Sequence, residues 1–222
     1  NGQIGRKLRI TGKGRCNLTN ACDLDTLMAN VPRNPKFLYS AFARWMPEYV
    51  MAYFEQLGVP LKVERGNRVF PVSDRAEDIV AALQRALKRA GVLVYRETVQ
   101  QLLLQEGRCT GVQTASGKQY AANCVLLAAG GASYPATGST GDGYTLAKQA
   151  GHTIVPPLPA LVPLEVQEKW CSDLMGLSLR NVSLKLYNGK KCFYDALGEM
   201  LFTHFGVSGP LVLTASSLLP EQ

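Results

Sequence analysis

Residues 126–151, LLAAGGASYPATGSTGDGYTLAKQAG, hold the densest set of groups able to do chemistry. Gly130, Gly131, Gly138, Gly141 and Gly143 fall between one apolar run and one helical run. Glycine lets backbone amides approach a ligand closely. A helix opening near Asp142 or Gly143 would add N–H groups and a partial positive charge, which suit a phosphate or another electron-rich oxygen. Ser133, Thr137, Ser139 and Thr140 supply hydroxyls. A mobile surface loop of ordinary turn residues is the competing reading, and a single glycine pair would favour it. Five glycines at this junction favour a ligand site.

A second stretch, residues 5–20, GRKLRITGKGRCNLTN, sets Arg6, Lys7, Arg15, Asn17, Thr19 and Asn20 around a glycine turn. Lys7 and Arg15 are suited to an anion and Asn17 to the edge of a heterocycle. Taken alone, the stretch reads as an anion or RNA contact. GKGR lacks the spacing of a Walker phosphate loop. Cys16 has no neighbouring histidine to activate it, and reads as a packing residue. Neither histidine is a convincing acid or base: His152 reads as packing after a helix stop, and His204, in the T-H-F-G stretch, is a minor candidate for reaching a substrate cavity. The catalytic residues stay unassigned.

These stretches need elements to hold them. The first twenty residues read as an extended segment with a tight turn at Gly12 and Gly14. Asp23 is placed to cap a short helix, while Pro35 and Pro47 each suit the first turn of another. LKVERGNRVFP reads as a hairpin turning at Gly66 and Asn67. Asp74 and Glu77 resemble a capping box ahead of a helix with Ile79, Val80, Leu83 and Leu87 on one face and Gly91 as its stop. VLVY, VQQLLLQ, CTGVQTA and NCVLLAAGG then read as four strands, the last buried on both faces. Three prolines between positions 156 and 159 make a stiff connector. Beyond it LVPLEV, LRNVSLKLY, KKCFYDA and EMLFTHF read as strands of a β-rich region, with a helix near the end.

Composition bounds the class. At 46% hydrophobic and 18% charged, the 222 residues suit one or two globular domains rather than a disordered chain. No apolar run approaches the roughly 18 residues needed to span a bilayer. The start, NGQIGRKLRI, does not read as a signal peptide. Six cysteines without a C-x-x-C pair read as reduced cytoplasmic thiols, with no metal site. The net charge of +7 raises a nucleic-acid partner. The basic clusters Arg6–Arg15 and Arg85–Arg89 carry no interleaved aromatics, which weighs against one.

GRKLRITGKGRCNLTN and LAAGGASYPATGSTGDGYTLAKQAGH together resemble two signature stretches of the BaiN/YhiN-like family of FAD-dependent oxidoreductases, which includes proteins described as aminoacetone oxidases and bile-acid dehydro-reductases. LFTHFGVSGPLVLTASS resembles a third segment of that family, in its inserted β-barrel domain. The resemblance implies an α/β chain: a partial FAD-binding Rossmann-like domain over 1–159 and a β-rich, barrel-like inserted domain over 160–222. It carries Lys7, Thr11, Gly12, Gly14, Arg15, Cys16 and Asn17 over to the FAD. Val99 would meet the adenine, Ala129, Gly130 and Gly131 the dinucleotide, and Gly141, Asp142 and Gly143 the flavin.

The implied activity is hydride or two-electron transfer between FAD and a small-molecule substrate, with NADH or NADPH open as reductant. The alternatives are an RNA-associated flavoprotein or RNA-binding module, and a non-catalytic structural piece. The family's N-terminal G-x-G-x-x-G unit and C-terminal flavin-covering segment have no counterpart in these residues. The expectation is therefore a fragment, inactive alone, that holds FAD weakly or not at all and self-associates through exposed sheet edges.

Overall fold

The computed structural model describes residues 3–219, so the outer limits of the two expected domains, residues 1 and 222, lie outside the described residues. The chain divides into two compact units, Asn1–Val155 and Pro156–Gln222.

The first unit opens with α1 (Arg6–Ile10) and a 3-10 turn at Thr11–Gly14. A helix here corrects the extended segment expected from the sequence. It ends where Gly12 and Lys13 take left-handed dihedrals, φ 55° and 58°. There follow β1 (Thr19–Asn20), α2 (Leu24–Ala29), α3 (Pro35–Arg44) and α4 (Pro47–Gln56). Asp23 caps α2 by accepting from the Thr26 N–H at 2.8 Å, and prolines open α3 and α4 as expected.

Strands β2 (Leu61–Glu64) and β3 (Arg68–Pro71) form the expected hairpin around Gly66 and Asn67, both at positive φ. Strand β1 pairs with β3 on its other side, giving the order β1-β3-β2. Helix α5 (Ala76–Arg89) buries Ala76, Ile79, Val80 and Ala82, one face at helical spacing. Ala76, Ile79 and Ala82 join Cys16, Phe54 and Val59 in the core, flanked by Leu8, Leu18, Val50 and Leu61.

The capping box does not form. Arg75 is the N-cap and no side chain caps the helix. Asp74, at φ 56°, turns to Lys62 and Arg15, and Glu77 pairs with Arg9 at 2.7 Å. Basic partners outcompete the α5 amides for both carboxylates.

Strands β4 (Val99–Gln105), β5 (Arg108–Thr114) and β6 (Gln119–Ala121) form a second antiparallel sheet, and α6 (Asp142–Gln149) follows the glycine-rich loop. Two expected strands are corrected. Val92–Tyr95 and the run from Asn123 to Gly131 belong to no helix or strand and pair with no strand among the described residues. The second run was expected to be buried on both faces, yet Leu126 is 91% exposed. An apolar run becomes a strand only when a neighbour takes its backbone hydrogen bonds.

The second unit holds β7 (Leu164–Glu165), α7 (Trp170–Asp173), β8 (Ser178–Asn188), β9 (Lys191–Thr203), β10 (Gly206–Ser208) and α8 (Pro210–Ser216). KKCFYDA and EMLFTHF, expected as separate strands, merge into β9. Gly198 within it faces α8: a Cβ there would lie 3.1 Å from Leu211 Cγ. The sheet order is β7-β10-β9-β8, all antiparallel, and it does not close into a barrel among the described residues.

Candidate functional site

The glycine-rich loop is shaped by its backbone. Gly130, Gly138 and Gly141 sit at φ 75°, 97° and 85°, the left-handed region that favours glycine. A 3-10 turn at Pro135–Thr137 is closed by the Thr137 hydroxyl donating to the Tyr134 carbonyl at 2.7 Å. The Gly141 N–H then reaches back to the Gly131 carbonyl at 3.2 Å. At Gly143, in the first turn of α6, a Cβ would lie 3.4 Å from Ala129 Cβ. At Gly130 it would lie 3.3 Å from Ser139 Oγ. Ala129, Gly130 and Gly131 therefore face the start of α6 closely, with the Tyr144 side chain against Gly131 and Gly141, and the helix presents first-turn N–H groups there.

Lys7 ties this loop to the first stretch. From α1 its ammonium donates to the Ser133 carbonyl at 2.9 Å and to Ser139 Oγ at 2.5 Å. Ser139 is buried. One side chain thus joins segments more than 120 residues apart, bringing together the two stretches singled out in the sequence.

The other residues of the first stretch face elsewhere. Arg15, expected as an anion contact, lies 3.9 Å from the Phe70 ring centroid and pairs with Glu64 at 2.9 Å and Asp74 at 3.3 Å. Lys62 donates to Asp74 at 2.6 Å. That bond, with Arg15 behind it, holds the Asp74 carboxyl below its ordinary range. Asn17, expected at a heterocycle edge, donates to the Thr19 and Val69 carbonyls at 2.9 and 3.1 Å. Thr11 donates its hydroxyl to the Leu8 carbonyl and accepts the Cys16 N–H. Cys16 is 1% exposed, and burial pushes its thiol up, as befits a packing residue.

Gly12 is required where it stands, since a Cβ would meet Asn17 N at 2.8 Å and the Phe70 ring at 3.1 Å. Gly14 shares the left-handed turn at φ 86°. Val99 opens β4, opposite Thr114. Gln149, which sequence reasoning passed over, ties α6 to that strand by accepting the Leu102 N–H at 3.0 Å. A polar residue on a helix carries no signal of such a partner. Among the described residues no group of His, Cys, Asp and Glu could hold a metal ion, and no helix is long and apolar enough to cross a membrane.

The fold is mixed α/β, and comparison assigns it to the Rossmann class. The chain belongs to the family described as the HI0933-like protein Rossmann domain, whose model matches residues 1–214. It is 32% identical over 207 residues to the 3-dehydro-bile acid delta(4,6)-reductase of Clostridium scindens, covering 93% of this chain and 49% of that protein. It is 33% identical over 221 residues to the ribosomal RNA dihydrouridine synthase of Haemophilus influenzae, covering 97% and 53%. The protein of that name in Escherichia coli is 29% identical over 216 residues, covering 96% and 52%. The chain spans about half the length of the curated relatives it matches.

Proposed function

We propose that this chain forms the glycine-loop wall of an FAD site in a reductase that saturates a carbon–carbon double bond conjugated to a carbonyl. The carrying observation is the Lys7 clamp on Ser133 and Ser139, which lie in the loop between the two sides of the seam, 129–131 and 141–143. The residues fit a dinucleotide. The backbone of Ala129, Gly130 and Gly131 leaves room for close approach, and the first turn of α6 offers N–H donors to a pyrophosphate or polyol. Asp142, in that turn, offers a carboxylate to a polyol hydroxyl. Arg15, Asn17, Thr11, Gly12, Gly14 and Cys16 act behind the site, shaping the turn that follows the helix carrying Lys7. Val99 belongs to the strand against which Gln149 steadies α6.

Bound FAD would supply the hydride. Lys7 holds the loop, and the loop orients the cofactor. The relatives' names support the reaction class. A delta(4,6)-reductase acting on a 3-dehydro compound and a synthase of dihydrouridine both describe loss of a ring double bond conjugated to a carbonyl. In that reaction the distal carbon gains hydride and the carbon next to the carbonyl gains a proton. The β-rich unit beyond the prolines corresponds in this reading to the barrel-like inserted domain of 160–222.

The test is anaerobic reoxidation. Protein carrying dithionite-reduced FAD is mixed with a conjugated enone or with an isolated alkene. Reoxidation by the enone alone is expected. Reoxidation by neither, with dioxygen as the sole acceptor, would overturn the reading.

A second reading makes the substrate a uridine within ribosomal RNA rather than a free small molecule. The net charge of +7 favours it, together with two relatives named for that activity.

A further inference from the structure

We propose that the outward face of α3, with the groove at its start, binds single-stranded RNA. Helical spacing puts Lys36, Ser40 and Arg44 in one row with Phe37 beside it, while Leu38 and Phe42 turn to the opposite side. The exposure pattern follows that division: the first four are exposed and the last two half-buried. Phe37 is 86% exposed, a large ring left in water beside the start of a basic row.

Helix α3 contains no acidic residue. An open groove of about 690 Å³ runs along its start, lined by Arg33, Asn34, Pro35, Lys36, Phe37 and Leu38. Tyr39, Trp45 and Tyr49 are each about half exposed on the same and the following helix. The basic clusters Arg6–Arg15 and Arg85–Arg89 lack such aromatics, which is what weighed against RNA in the sequence. The segment that interleaves rings with cations is a third one, and exposure reveals it.

The chemistry selects the partner. A flat apolar ring beside cations stacks an unpaired base and neutralises its phosphates. Lys36 and Arg44 stand eight residues apart on the row, about 12 Å along the helix axis, the order of two phosphate spacings in an extended strand. Duplex RNA hides its base faces and offers nothing to Phe37. The cationic row also divides the rings, so they form no continuous apolar wedge of the kind a lipid surface takes up. The choice of RNA rests on the second reading above; the surface itself needs no flavin.

The test is fluorescence anisotropy of the whole chain with a labelled uridine-rich single-stranded oligoribonucleotide, over a salt series. Saturable binding is expected, poorly competed by duplex RNA. Phe37→Ala should weaken it about tenfold, at a position too exposed to disturb the fold, with an unchanged melting curve as control. Lys36→Ala with Arg44→Ala should flatten the log affinity–log salt slope by about 1.4, two phosphate contacts' worth. Binding indifferent to both variants overturns the proposal, as does equal competition by duplex RNA. So does Phe37-dependent binding to anionic vesicles without RNA binding. Phe37-dependent RNA binding without reduction of uridine by the flavin-loaded protein supports this surface and sinks the RNA-substrate reading instead.

Discussion

At the scale of the residue, Lys7 and Gly12 divide the work of the first stretch. Lys7 leaves its own helix to hold the Ser133 carbonyl and the Ser139 hydroxyl, and so fixes the loop. Gly12 lets the chain turn sharply enough for Asn17 and Phe70 to close beneath it. Gly12→Ala puts a methyl group within 2.8 Å of the Asn17 nitrogen at a left-handed φ of 55°. The expected loss is about 1–3 kcal/mol in urea unfolding, with no new ligand preference. The residue types were legible in the sequence, but their partners were not. Arg15 and Asn17 suit an anion and a heterocycle by chemistry alone. Their actual partners, Glu64, Asp74 and the Val69 carbonyl, come from β2, β3 and the turn before α5, about 50 residues away or more.

At the scale of the element, local signals held where local forces decide. The Asp23 cap, the prolines opening α3 and α4, the turn at Gly66 and Asn67 and the stop at Gly91 depend on neighbouring residues alone, and all stand where spacing put them. Two kinds of expectation failed for non-local reasons. Asp74 and Glu77 have the spacing of a capping box, but cations from α1, β2 and the turn before Leu18 take both carboxylates. The runs at 92–95 and 123–131 have strand composition but no partner among the described residues, and composition says nothing about partners. Helix α5 is the opposite case, its apolar face matched to the core. Ile79 is fully buried there, and Ile79→Ala should cost about 2–5 kcal/mol in the same unfolding measurement. A loss below half a kcal/mol would show that α5 does not hold the first unit together.

At the scale of the whole molecule, the described chain has three small antiparallel sheets in two units, and its candidate chemistry lies in the first. Family membership makes that unit part of a Rossmann domain. The glycine loop gives the proposed flavin site a location, at a seam whose connecting loop Lys7 clamps. Hydrogen–deuterium exchange tests this most directly, with FAD in large excess so that even weak binding populates the complex. Slowed amide exchange is expected at residues 129–131 and 139–143, accompanied by α1, with the strands β8 and β9 unaffected; the Lys7→Met variant should lose most of the loop's protection. Unchanged exchange across 129–143 at every FAD concentration, in a protein shown to be folded, would contradict that location.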